Sequence, residues 1–107
     1  MGEQTISPED CVGMDQIRAE VNKIDREIIG LLGKRLNYVR SAVAFKPDED
    51  SIRSPDHWDS FFAARKRWAA EEGYDPAVIE AVYRTLYDFT IEIQLSLHAQ
   101  KQPVPRA

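Results

Sequence analysis

The chain has 107 residues, a formal net charge of −4, one cysteine and two histidines. That length suits one domain, and the acidic balance argues against a nucleic-acid backbone as partner. A lone Cys11 excludes a disulfide framework and a thiolate zinc site. No apolar run approaches the roughly 20 residues of a membrane span, and the N-terminus lacks a signal-peptide core. A cytoplasmic protein without membrane contacts is the expectation.

Residues 1–13 read as a polar, irregular arm in which Ser7-Pro8-Glu9-Asp10 can open a short turn of helix. Cys11 reads as a small packing residue, because nothing near it in sequence would lower its pKa or act as its base. From Asp15 to Lys46 the pattern changes. Ile17, Val21, Ile24, Ile28 and Leu31 recur at spacings of three and four, which is one apolar face of a helix. Arg35 takes the next place on that seam. Tyr38, Val39, Ala42 and Phe45 resume it, with Lys46 beside Phe45, and Arg18 stands one position off the stripe near its start. An unpaired buried charge is costly, so Arg35 requires either an acidic protein partner or an anionic ligand. The stretch contains no proline, and Gly30 and Gly33 either weaken the helix slightly or admit a close helix approach. About 31 residues at 1.5 Å each span roughly 46 Å, against a radius of gyration near 13 Å for a compact domain of about this size. An unbroken helix packed against a second copy of the chain is therefore predicted.

Pro47 ends that helix, and the polar, acidic segment 47–54 reads as a loop. It is either a plain connector or a lid over whatever Lys46 and Arg35 bind. Ser54-Pro55-Asp56 is a helix-start signal. A second helix is predicted from Pro55 to about Glu72, stopped by Gly73. Trp58, Phe61, Phe62 and Trp68 form its apolar face, which core packing explains. Arg65, Lys66 and Arg67 suit the negative end of its dipole. Asp75-Pro76 repeats the start signal, and a third helix runs to about Gln100 with a stripe of Ile79, Val82, Leu86, Phe89, Ile93 and Leu97. Thr90 and Gln94 sit one turn apart beside that stripe, and spacing alone reads them as boundary residues. There is no internal repeat, glycine-rich phosphate loop or strand-like alternation. The fold class is all-α, with three helices per chain and a long N-terminal one. Residues 1–107 form a single helical domain with a frayed tail at 102–107.

The residues beneath this pattern resemble the all-α chorismate mutase family, and within it the isochorismate pyruvate lyases of salicylate-siderophore pathways. The resemblance covers nearly the whole chain. It runs from PEDC-x-G-M (Pro8 to Met14) through IR at Ile17-Arg18, ID-x-x-I from Ile24 to Ile28, and LG-x-R with YV between Leu32 and Val39. It continues through AFK (Ala44 to Lys46), RWA-x-E-x-G (Arg67 to Gly73) and E-x-Q (Glu92 to Gln94). Order and spacing together carry it, rather than any one motif.

The resemblance implies an intertwined homodimer with two equivalent sites for a small cyclohexadienyl dicarboxylate, isochorismate or chorismate, and no metal or cofactor. Arginines matching Arg18 and Arg35 bind its carboxylates, while Lys46 and Gln94 donate to the enolpyruvyl ether oxygen. Thr90 falls in the same site. The implied reaction is pericyclic elimination of pyruvate from isochorismate to give salicylate, with weak mutase activity alongside. The alternatives are rearrangement of chorismate, or of an amino analogue, to a prephenate, and a non-catalytic helical dimer serving as a binding or regulatory module. His57 stands where the family commonly has an arginine, and an imidazole lacks the bidentate fork. Arg53, four residues earlier, would substitute if the loop folds inward. Trp58 stands where the mutases tend to carry a glutamate and where the lyase branch is apolar.

Overall fold

The three-and-four recurrence beginning at Ile17 gives a single helix, α1, running from Met14 to Ala42 over 29 residues. The computed structural model describes residues 5–53 and 58–101. After α1 come α2 (Glu49–Arg53), α3 (Trp58–Glu71) and α4 (Pro76–Lys101), with 3₁₀ turns at Pro8–Asp10 and Val43–Phe45. No strand occurs among the described residues. The predicted helix start at Ser54-Pro55-Asp56 lies outside them. The chain divides after Asn37 into two units.

In the first unit the arm makes the short turn anticipated at Ser7. The Ser7 hydroxyl donates to Asp10 at 2.8 Å, and the Cys11 amide donates to the Pro8 carbonyl at 3.4 Å. Behind the arm, α1 buries no residue at all. Its predicted apolar face stands open, with Val21, Ile24 and Ile28 exposed and Leu31 at 61%. Arm and helix together line a groove of about 720 Å³, with Ile6, Pro8 and Cys11 on one side and Ile17, Val21 and Ile24 on the other.

The long helix ends earlier than its pattern suggests. Helical geometry was expected through Lys46, but α1 stops at Ala42 and tightens into the 3₁₀ turn, closed by the Lys46 amide donating to the Val43 carbonyl at 3.1 Å. Pro47 explains this. A residue before proline is pushed out of the α region, and Lys46 is extended, with φ −116° and ψ 112°.

In the second unit, segment 47–54 is not simply a loop as far as it is described, because Glu49–Arg53 forms α2. Asp48 and Ser51 make the start. The Ser51 amide donates to the Asp48 carboxylate at 2.9 Å, the Asp48 amide donates to Ser51 Oγ at 3.4 Å, and the Ser51 hydroxyl donates to the Asp48 carbonyl at 2.8 Å. This is a reciprocal capping arrangement, and Ile52, the one buried residue of α2, supplies its apolar anchor at 2% exposure.

Helix α3 packs along α4. Trp58, Phe61, Phe62 and Tyr87 form an edge-on ring cluster, with centroids 4.3 Å apart for Trp58–Tyr87 and 5.0 Å for Phe61–Phe62. Such tilted contacts match the quadrupoles of the rings. Trp68 departs from the expected core face and is about half exposed. The basic cluster does more than complement a dipole. The Arg65 guanidinium lies 3.6 Å over the Phe61 ring, and Lys66 pairs with Glu80 on α4 at 3.4 Å. Gly73 ends α3 in the left-handed region, at φ 72°. The Tyr74 amide donates to the Ala69 carbonyl at 2.8 Å and the Gly73 amide to that of Ala70 at 3.1 Å, the paired bonds of a Schellman cap.

The face by which α4 meets its own chain is centred to one side of the apolar stripe, whose Ile79, Leu86, Ile93 and Leu97 are only partly buried. Tyr87, Thr90, Gln94 and His98 are its most buried residues, whereas Val82 and Phe89 of the stripe are about half exposed. The ring cluster takes up Tyr87, and hydrogen bonds satisfy the polar groups of Thr90 and Gln94, so burial follows partners rather than hydropathy.

Candidate active site

The central feature of the second unit is a chain of polar contacts between the turn after α1 and the C-terminal half of α4. Lys46 Nζ donates to Gln94 Oε1 at 3.1 Å, and Gln94 Nε2 donates to the Val39 carbonyl at 2.9 Å. That carbonyl lies in the last turn of α1, where a helix has acceptors without intrahelical partners. The two bonds fix which end of the Gln94 amide points where, and Gln94 is only 5% exposed. Lys46 is half-buried, and loss of solvent pulls its ammonium below the ordinary lysine pKa. An ammonium has three N–H donors and a primary amide two. Among the described residues each gives one away, so both keep donor capacity for an incoming oxygen.

Thr90, one turn before Gln94, is buried and turns its hydroxyl back to the Tyr87 carbonyl at 2.9 Å. In that rotamer its proton serves the helix. Arg53 is exposed at the end of α2. His57 lies outside the described residues. Arg18 and Arg35 belong to the first unit. Arg18 is exposed and 3.7 Å from Asp15, one turn back, and Arg35 is partly buried on the apolar seam. The second unit thus brings Lys46 and Gln94 together. The arginines stand 17 residues apart on one helix, about 25 Å along its axis, too far for both to reach one small molecule from one chain.

Two elements of this arrangement escaped the sequence reading. The Val39 carbonyl is a backbone group and leaves no mark in a side-chain pattern. Ile52 did leave one, since Asp48-x-x-Ser51 is a capping spacing followed at once by an isolated apolar residue. No group of three or more His, Cys, Asp or Glu side chains suited to a metal occurs among the described residues, and no described helix is long and apolar enough to cross a membrane.

Comparison with known proteins bears on the family. The chain is 34% identical over 94 residues to the isochorismate pyruvate lyase of Pseudomonas aeruginosa, an alignment covering 88% of this chain and 93% of that protein. The family model for chorismate mutase type II matches residues 17–95, running from the first turn of α1 through Gln94 and across both units. The chain belongs to the type II chorismate mutase family.

Proposed function

We propose that the protein is an isochorismate pyruvate lyase, a cytoplasmic enzyme that eliminates pyruvate from isochorismate to leave salicylate. The observation that carries this reading is the Lys46–Gln94 pair, fixed by the Val39 carbonyl, in a chain that aligns along nearly its whole length with a lyase of that name. The reaction transfers a ring hydrogen to the methylene carbon of the enolpyruvyl group as the ether C–O bond breaks. Negative charge gathers on the ether oxygen. Donors already in place for that charge stabilise the transition state without reorganising, and holding the side chain over the ring supplies the rest. Lys46 and Gln94 are the catalytic donors in this reading. Arg18 and Arg35 hold the carboxylates, with Arg53, His57 and Thr90 bordering the substrate.

The site is shared in an intertwined homodimer. Antiparallel α1 helices bring Arg18 of one subunit to Arg35 and Lys46 of the other, which answers the 25 Å problem along one helix. The exposed stripe of α1, and Val82 and Phe89 on α4, offer apolar surface for a second copy. Both units then serve one functional domain.

A second reading, a chorismate mutase giving prephenate, is favoured by the family model itself. A product assay separates the two, with purified protein offered isochorismate and chorismate in turn. Salicylate and pyruvate from isochorismate are expected. Prephenate alone would move the protein to the mutases, and no product from either would leave a non-catalytic dimer or another substrate, such as an amino analogue of chorismate.

A further inference from the structure

Ile52 is the most buried side chain of the described residues, at 2% exposure, yet it belongs to a five-residue helix in an otherwise polar, acidic segment. Helix α2 packs against α4. Lys46 reaches α4 too, through Gln94. The stretch Lys46–Arg53 is therefore held on α4 at both ends, by a hydrogen bond at one and an apolar anchor at the other. Between them Pro47 sets the extended backbone of Lys46, and the Asp48–Ser51 cap shapes the turn into α2. A helix this short is not stable alone, so burial of Ile52 must hold it in place.

From this we infer that Ile52 is a positioning residue for Lys46: by seating α2 on α4 it fixes the start of the strap and keeps the Lys46 ammonium on Gln94 before any substrate arrives. The inference rests on the proposed catalytic role of Lys46 for its functional meaning, but its structural content stands apart from turnover. Asp48, Glu49, Asp50 and Arg53 are the exposed charged groups of the strap. On α4 the buried face carries uncharged Gln94 and, one turn on, His98. At the end of α1, Arg40 is exposed. No carboxylate among the described residues is within 4.0 Å of Lys46, so burial alone lowers its pKa. Loosening the strap should undo that.

The test is an NMR titration of the Lys46 ε-methylene in the full-length protein, its resonance assigned by its loss in Lys46→Arg. In Ile52→Ala the Lys46 midpoint should rise towards the ordinary lysine value. Ile52→Val, which keeps most of the anchor, should shift it less in the same direction and serves if the alanine variant does not fold. Ala69→Gly, a core change in α3, should lower the melting temperature and leave the midpoint where it was. An unmoved midpoint in both Ile52 variants overturns the inference. So does an equal shift in Ala69→Gly, which would make the effect one of general loosening. Turnover gives the second readout. Ile52→Ala should lower kcat by about tenfold or more while changing KM less, as a misplaced catalytic group does. If the native protein turns over neither isochorismate nor chorismate, the functional reading fails, and the titration still decides what Ile52 does.

Discussion

Lys46 is the residue on which the proposed chemistry turns, and its surroundings set a pH signature. The charged form is the useful one, because only an ammonium offsets a developing oxyanion. Burial lowers its pKa, so kcat/KM should fall as pH rises, through a midpoint below that of an ordinary lysine. A pH–rate profile of the chemical step that stays flat through that region would remove Lys46 from the mechanism. A bound dicarboxylate favours the charged form, so the corresponding fall in kcat should come at higher pH. Lys46 was readable as a candidate from its place at the end of the long helix's seam, whereas Gln94 entered the site only through resemblance to a family. From spacing alone Gln94 is a polar residue near an apolar stripe. What the sequence could not reveal is that the Val39 carbonyl orients the Gln94 amide, because a backbone acceptor at a helix end depends on where the helix stops. That stop in turn depends on Pro47.

At the scale of the element, local signals and tertiary ones separated cleanly. The Gly73 stop, the Asp75-Pro76 start and the length of α1 to within a turn were legible because each rests on backbone chemistry a few residues wide. Helix α2 was missed because net polarity outweighed a four-residue capping pattern. The buried face of α4 was misjudged because hydropathy cannot register that Thr90 and Gln94 find partners inside. The local signals also predict opposite effects for two glycine substitutions. Gly73→Ala places a side chain at φ 72° and should cost about 1–2 kcal/mol. Gly33→Ala adds a methyl that meets nothing within 4 Å and should stabilise α1 by about 0.5–1 kcal/mol. Urea unfolding of both variants checks the pair. A loss of stability in Gly33→Ala would mean that a second helix backbone approaches α1 there.

For the whole molecule the proposed shared site makes a stricter demand. Arg18→Ala and Lys46→Ala homodimers should each be inactive, whereas the mixed dimer regains one intact site of two and should recover up to about half the native rate per dimer, since each site acts alone. Co-expression with two affinity tags isolates the heterodimer, and absence of recovered activity in it would rule out a site built across subunits. Neither the proposed dimer nor the proposed reach of Arg18 could be read from periodicity beyond the observation that α1 is too long for its chain. The described structure sharpens that observation, since none of the 29 residues of α1 is buried. Its stabilisation, in the proposed dimer, is supplied by mass action. The midpoint of thermal unfolding should then climb with protein concentration, and dilution alone should quench catalysis. The cellular abundance of the chain would act as a regulator of its own specific activity.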